Sequence, residues 1–205
     1  MSAERCAKLP IAAAGMRIGL LGGSFNPAHD AHREISLTAL KRLGLDQVWW
    51  LVTPGNPLKD VSRLPGLAER VRAAETLARH PRIKVTGFDG GRGSGYTVDL
   101  LKALKQRFPS VHFVWLMGAD NLAQFHRWKA WPEIFAIVPI AVLDRPGYRL
   151  KARAAPAAQR FAPYYVDESD AAGLADLEPP AWTVLSHRLS GLSSTALRET
   201  VLKSV

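Results

Sequence analysis

The sequence predicts an α/β fold, a Rossmann-like doubly wound parallel sheet of about five strands with flanking helices. Short runs rich in Val, Ile, Leu and Trp alternate with segments of helical periodicity along most of the 205 residues. Strands separated by helices of this length form βαβ units, which keep the strands parallel and the crossovers right-handed. The most distinctive polar residues follow directly after predicted strands, where open sheets of this kind bind ligands.

The strands are predicted from their β-branched and aromatic content and from the Gly and Pro residues that close them. In chain order they are Arg17–Leu21, Gln47–Thr53, Arg82–Phe88, His112–Met117 and Ile140–Leu143, with a further strand over Trp182–Leu189. Helices are predicted where apolar residues recur every three or four positions. They cover Ala31–Leu43, Leu67–Arg79 and Thr97–Phe108, and a last helix begins near Ser194.

The length fits one domain with a core of its own. Residues 1–15 carry no strong period and are predicted to form a loose leader. Residues 16–205 are predicted to form a single α/β domain, in which residues 151–180, rich in Ala and Pro, form an irregular excursion. Tryptophans within predicted strands are expected in the core: Trp49, Trp50 and Trp115.

The chain is basic, with 27 Lys and Arg against 18 Asp and Glu and a net charge of +9. Such a balance suits nucleic acid, a membrane surface or small polyphosphates. The basic residues are scattered, which fits either a field that attracts small anions or a solvated surface; they include Arg33, Lys41, Arg42, Arg70, Arg72, Arg79 and Arg82. A nucleic-acid-binding protein would be expected to have clustered basic residues and exposed aromatic residues. This sequence shows neither clearly, so no nucleic-acid partner is expected.

The sequence favours a cytoplasmic protein. Its one cysteine, Cys6, cannot form an internal disulfide, and no stretch approaches the roughly 20 apolar residues of a membrane span. The apolar run Leu9–Ala14 is too short for a signal peptide. No membrane partner is therefore expected, and the oligomeric state is left open.

The first motif, GGSFNPAHDAH, covers residues 22–32 between the first strand and the first helix. Its two glycines allow a tight turn and a close ligand, and the helix start is an anion site. His29 and His32, three apart, can both face one ligand. The motif lacks the Lys of a Walker loop and the third glycine of the dinucleotide fingerprint. Zinc ligation and a purely structural histidine pair are the alternatives.

The second motif, SSTALR, covers residues 193–198. In the simplest interpretation Ser193 or Ser194 only caps the last helix. Three hydroxyls with Arg198 one turn further along can also bind oxyanions through O–H groups, N–H groups and a guanidinium fork.

Together the two motifs resemble the (H/T)xGH-type loop and the SSTxxR motif of the nucleotidyltransferase superfamily. Within it the chain most resembles the bacterial nicotinate-nucleotide adenylyltransferases. Further matches are TPGNPLK at 53–59, GYT at 95–97, GAD at 118–120, Trp128 and RPGY at 145–148. The resemblance covers about 16–148 and 182–199, in the family's order. The motif pair specifies the superfamily strongly, and the middle matches specify the acceptor more weakly.

The resemblance implies an enzyme of NAD biosynthesis that moves AMP from ATP to nicotinate mononucleotide, giving nicotinate adenine dinucleotide and diphosphate. Another adenylyl- or cytidylyltransferase, acting on phosphopantetheine or nicotinamide mononucleotide, and a non-catalytic nucleotide sensor are the rival interpretations. Mg²⁺ is the expected cofactor, bound mainly through substrate phosphates. No protein nucleophile is required, because a phosphate monoester is largely ionised at neutral pH.

The expected site residues fall into three groups. His29, His32 and Arg198 are expected to be catalytic, with His32 closest to the α-phosphate. ATP-binding residues are expected to be Gly22, Gly23, Ser24, Phe25, Lys59, Gly118, Asp120, Ser193 and Ser194, and Asp120 is placed to bind a ribose hydroxyl. The acceptor is expected to contact Asn56, Thr97, Trp128 and Arg145, with Trp128 stacking on the pyridine ring.

Two positions depart from the family pattern. Ala31 stands where the family usually has glycine, which adds a methyl group beside the phosphates. Lys129 stands where an aromatic residue often follows the tryptophan, and it affects the acceptor pocket rather than the reaction.

Overall fold

The computed structural model describes residues 8–53, 64–88, 95–144, 152 and 154–186. Six parallel strands form one sheet in the order β3-β2-β1-β4-β5-β6. They are β1 Arg17–Gly23, β2 Gln47–Val52, β3 Ile83–Thr86, β4 His112–Gly118, β5 Ile140–Leu143 and β6 Trp182–Leu185. The fold class predicted from the sequence is confirmed. The sheet has six strands rather than about five, because Trp182–Leu185 pairs with β5 along its whole length.

Helices connect the strands and cover both faces of the sheet. They are α1 Asp30–Arg42, α2 Leu67–Ala78, α3 Thr97–Arg107, α4 Ala119–Gln124, α5 Trp131–Ile137 and α6 Pro156–Arg160. The first three lie within one residue of their predicted bounds. The short helices α4 and α5 were not predicted, since six or seven residues give too few turns for a periodic pattern. The last helix predicted near Ser194 lies outside the described residues.

Two apolar clusters form the core, one on each face of the sheet. Alternate residues of a strand point to opposite faces, so Trp49 packs in one cluster and Trp50 in the other. Trp115 is 2% exposed and lies on the same face as Trp49. All three are core residues, as the sequence predicts. The buried faces are typical of parallel sheets covered by helices on both sides.

The segments outside the predicted βα units contact the same sheet. Of residues 1–15, the structure describes 8–15, where Leu9 and Ala12 pack against the core. The region expected to be irregular contains α6 and two 3₁₀ segments, Ala162–Tyr164 and Glu168–Asp176. Within the described ranges, no helix combines the length and the apolar character that a membrane crossing needs.

Candidate active site

The candidate site lies at the carboxyl ends of β1 and β4, where the strand order reverses. β1 has β2 on one side and β4 on the other, although β2 follows it in sequence and β4 comes much later. Leu21 is in register with Leu116, so Gly22 and Gly23 end beside Gly118. Chain connections leave a parallel sheet in opposite directions at such a point, which opens a crevice for a ligand.

The turn after β1 is shaped by packing as well as by backbone freedom. Gly22 has no left-handed φ; an added Cβ there would lie 2.3 Å from Cη2 of Trp115, so the glycine is required for space. An added Cβ on Gly23 would meet the ring and the backbone N of Phe25 at 3.6–3.9 Å, which is ordinary contact. Phe25 itself has a φ of +46°. Such a conformation costs roughly 1–3 kcal/mol in a non-glycine residue and often marks a functional turn.

The two histidines of the turn stand together at the start of α1. His29 is the N-cap and is 5% exposed, and His32 is in the first turn. Their ring centroids are 4.0 Å apart. The backbone N–H of His29 donates to Nδ1 of His32 at 3.2 Å. The spacing of three therefore brings both imidazoles to one point, as the sequence indicates, and it also makes them a helix cap.

Nδ1 of His32 has two hydrogen-bond partners in the backbone of His29, and the tautomer of the ring decides between them. Nδ1 lies 3.2 Å from the backbone nitrogen, whose N–H can only donate, and 3.3 Å from the carbonyl oxygen, which can only accept. When Nδ1 accepts from the N–H, the proton of the neutral ring is on Nε2. In that tautomer the carbonyl of His29 still has a partner, since it accepts from the backbone N–H of His32 at 2.9 Å. His32 can thus present an N–H donor to an anion without being charged.

Aromatic packing holds the His32 ring in place. The ring of Phe25 lies 4.6 Å from His32 and 5.2 Å from Trp50, centroid to centroid. The indole N–H of Trp50 donates to Oγ of Ser36 at 2.7 Å, and this hydroxyl donates to the carbonyl of His32 at 2.8 Å. Both α1 and β2 therefore fix the position of the histidine.

Arg70 is the residue at this site that the sequence did not identify. In the sequence it is one of the scattered basic residues, yet in the structure it is 3% exposed and buried beneath the turn. Its guanidinium donates to the carbonyls of Ser24, Thr53 and Pro65 at 2.6, 2.8 and 2.8 Å. Burial lowers the pKa of Arg70. No local pattern distinguishes it, because its partners are carbonyls 5, 17 and 46 residues away.

The residues expected to hold the acceptor lie near the same edge of the sheet. Trp128 is half-buried and contacts the ring of Phe125 at 4.9 Å and that of Trp115 at 6.4 Å. Trp115 also contacts Gly22, so one indole joins Trp128 to the turn. Half-buried Asp120 lies directly after β4, in the first turn of α4, with its Oδ1 atom buried.

Thr97 begins α3, and Tyr96 is its N-cap. Lys129, the departure from the family pattern, places its Nζ atom 4.3 Å from the centroid of the Tyr96 ring and 4.0 Å from Oδ2 of Asp99. The residue after the tryptophan therefore contacts the start of α3, on either side of Thr97 in sequence.

The structure describes ten of the expected site residues. Nine lie at the carboxyl ends of strands or in the turns and helix starts that follow, and Trp128 lies nearby: Gly22, Gly23, Ser24, Phe25, His29, His32, Gly118, Asp120, Thr97 and Trp128. Six others lie outside the described residues: Asn56, Lys59, Arg145, Ser193, Ser194 and Arg198. The convergence of the serine–arginine motif on the turn stays a prediction. Among the described residues, no group of three or more His, Cys, Asp or Glu side chains could hold a metal ion.

Comparisons with known proteins identify the family of this chain. The model of the cytidylyltransferase-like family matches residues 20–200. The "probable nicotinate-nucleotide adenylyltransferase" of Methylorubrum extorquens (strain PA1) is 60% identical over 183 residues, which cover 89% of this chain and 99% of that protein. The protein of the same name from Rhizobium meliloti (strain 1021) is 55% identical over 89% of this chain and 97% of its own.

Among solved structures, Plasmodium falciparum nicotinic acid mononucleotide adenylyltransferase complexed with NaAD aligns with a TM-score of 0.65 and 19% identity. The alignment covers 90% of this chain and 83% of the other. At this identity the likeness concerns the fold, and the assignment rests on the relatives that are 55–60% identical. The chain belongs to the cytidylyltransferase-like family and, within it, to the nicotinate-nucleotide adenylyltransferases, which are nucleotidyltransferase enzymes.

Proposed function

We propose that this enzyme transfers AMP from ATP to nicotinate mononucleotide, in the cytoplasm, as a step of NAD biosynthesis. The observation that carries the proposal is the position of the glycine–histidine turn, which meets the carboxyl end of β4 at the reversal of strand order. One side of the crevice is rich in N–H donors for a polyphosphate. The other has an aromatic ring and a helix start suited to a pyridine carboxylate.

In the proposed reaction, an oxygen of the acceptor's 5′-phosphate attacks the α-phosphorus of ATP. A new P–O bond forms, the bond between the α-phosphorus and the bridging oxygen breaks, and diphosphate leaves with that electron pair. The second pKa of a phosphate monoester is near 6, so the nucleophile is already ionised at neutral pH. The protein then has to align two anions and stabilise the charge on the leaving group.

The turn supplies the donors for the triphosphate. Backbone groups of residues 22–25 lie nearest the end of β1, and the imidazoles of His29 and His32 stand at the start of α1. The Nε2–H of His32 would face the α-phosphate. From the resemblance, the β- and γ-phosphates would contact Lys59, Ser193, Ser194 and Arg198.

The acceptor would occupy the side of Trp128. Its pyridine ring would stack on the indole, which Trp115 and Phe125 hold from behind. The ring carboxylate would face the start of α3 at Thr97, where unpaired helix N–H groups favour an anion. Asp120, beside Gly118, would bind a ribose hydroxyl. Asn56 and Arg145 complete the expected contacts.

Mg²⁺ fits this site as a partner of the substrates. It prefers oxygen ligands and keeps several waters, so it commonly binds through one or two carboxylates and substrate phosphates. When bound, it would neutralise charge on the phosphate oxygens. Most of its ligands would come from the substrates and water.

The test is an acceptor panel. The purified enzyme is incubated with ATP, Mg²⁺ and either nicotinate mononucleotide, nicotinamide mononucleotide or phosphopantetheine, and both diphosphate and the coupled product are measured. The expected result is fastest transfer to nicotinate mononucleotide. Preference for another acceptor would reassign the substrate, and absence of diphosphate release with every acceptor would favour a nucleotide sensor.

A further inference from the structure

We propose that Arg70 is a positioning residue, which aims the backbone N–H groups of Ser24 and Phe25 at a phosphate of ATP. This inference rests on the proposed function, and it concerns a residue two elements away from the turn in sequence. Arg70 is in the first turn of α2. It is buried beneath the turn, so it acts through backbone rather than by touching substrate.

The contacts of Arg70 join three separate pieces of chain. Nη1 donates both to the carbonyl of Ser24, in the turn, and to that of Thr53, just after β2. Nε donates to the carbonyl of Pro65, just before α2. Charge-assisted hydrogen bonds of 2.6–2.8 Å are among the stronger ones in proteins. The guanidinium therefore fixes the direction of the Ser24 carbonyl.

The direction of the Ser24 carbonyl also determines the direction of the Phe25 N–H, because both belong to one planar peptide group. The peptide bond between Ser24 and Phe25 is trans, so its C=O and N–H point to opposite sides. Because Arg70 holds the Ser24 carbonyl on the buried side, the N–H of Phe25 points away from Arg70. The left-handed φ of Phe25 is maintained by the same clamp and by burial of its ring.

A second peptide is oriented in the same way. The carbonyl of Gly23 accepts from both the backbone N–H and the Oγ1 atom of Thr53, at 2.9 and 3.3 Å. This carbonyl therefore points toward β2, and the N–H of Ser24 points to the other side, on which β4 lies. Arg70 in turn holds Thr53 through its carbonyl. Buried Arg70 thus fixes the orientation of both peptide groups.

The two N–H groups are available for a ligand. Among the described residues, none accepts a hydrogen bond from the backbone N–H of Ser24 or Phe25. Both groups belong to the turn that borders the crevice between β1 and β4. Two adjacent backbone donors at such a turn form an anion-binding cradle. The chemistry they would recognise is a phosphate of the bound triphosphate.

The test compares Arg70→Met and Arg70→Lys with a control of similar instability, Leu104→Ala. A lysine ammonium ends where Cζ of the arginine lies, one bond short of Nη1, so it keeps the charge but cannot restore the three hydrogen bonds at their observed lengths. Leu104 is fully buried near the far end of α3, away from the crevice. The thermal unfolding midpoint of each variant is measured first, and kinetics follow at a temperature at which all of them are folded.

For Arg70→Met we expect KM for ATP to rise about tenfold and kcat to fall about tenfold, while KM for the acceptor stays within about twofold. Arg70→Lys should recover part of both losses. Leu104→Ala should keep wild-type constants per folded molecule. If Arg70→Met or, should it not fold, Arg70→Lys behaves like Leu104→Ala, the role of Arg70 is only structural and the proposal is wrong.

A second measurement separates this proposal from the proposed function. Binding of inorganic tripolyphosphate by wild type and Arg70→Lys is measured by calorimetry, without any acceptor. Weaker binding by the variant, by about fivefold or more, supports the positioning role even if wild type transfers AMP to none of the acceptors. Equal binding contradicts it even if wild type is fully active.

Discussion

The indole of Trp115 lies against Gly22 and fills the space in which a side chain at that position would stand. A Cβ on Gly22 would be 2.3 Å from Cη2 and 3.1 Å from Cζ2 of the indole. The same indole meets Trp128 edge-on, with ring centroids 6.4 Å apart. The sides of the crevice that we propose for the phosphates and for the acceptor therefore share one buried ring.

We expect Gly22→Ala to lower the free energy of unfolding by about 1–3 kcal/mol, since buried Trp115 cannot move aside without disturbing the core. Urea unfolding measures this change. Gly23→Ala is the matched control. Its Cβ would meet the ring and the backbone N of Phe25 at ordinary contact distances, and the expected change is below about 0.5 kcal/mol. Equal losses in the two variants would contradict the packing argument.

The role of His32 in capping α1 and its role in the reaction can be tested separately by two substitutions. His32→Asn keeps an acceptor where Nδ1 receives the N–H of His29, but it removes Nε2. We expect kcat to fall by about 10²–10³-fold in both His32→Asn and His32→Ala, since a transition-state donor is lost. Only His32→Ala should also lose about 1 kcal/mol of stability, through the cap. Steady-state kinetics and urea unfolding measure the two effects. A nearly normal kcat in either variant would remove His32 from the mechanism.

The sequence was sufficient for the fold and for the turn because both depend on local patterns. Periodicity located α1, α2 and α3 to within one residue, and the two glycines and two histidines marked the end of β1. The sixth strand is visible in the sequence as an apolar run, but its pairing is not, because within the described ranges Trp182–Leu185 joins the sheet through β5 alone.

The sequence was insufficient where distant groups determine a residue's role. Arg70 looks like any surface arginine, since arginine is seldom fully buried. Its burial depends on three carbonyls that the fold brings together. Likewise, the need for glycine at 22 comes from Trp115, which the register of β1 and β4 places beside it.

Trp128 is expected to contribute more to binding of the acceptor than to binding of ATP. We expect Trp128→Ala to raise KM for nicotinate mononucleotide by about tenfold or more, because one stacking surface is lost, and KM for ATP by less than about threefold. Trp128→Phe, which keeps a ring, should show a smaller rise. Initial rates at varied concentrations of each substrate measure these constants. An equal rise for both substrates would show that the loss comes from disturbed packing with Trp115 and Phe125.

Glu168 should make stability depend on pH. Burial alone would raise the pKa of this carboxyl group, but hydrogen bonds from the backbone N–H and Oγ of Ser186 and from Arg42 outweigh it, so the pKa is lowered. A carboxyl group with a lowered folded pKa stabilises the fold above its unfolded pKa of 4.5, and this stabilisation is lost as the pH falls through the folded value.

Glu168→Gln should therefore reduce stability by about 1 kcal/mol at pH 7 and lose less stability than wild type as the pH falls from 5 to 3. Urea unfolding at several pH values measures the difference between the two proteins. Glu178→Gln, at an exposed position two residues beyond Asp176, is the control and should match wild type throughout. The same slope for Glu168→Gln and wild type would mean that the contacts of Glu168 with α1 and with the end of β6 do not depend on its charge.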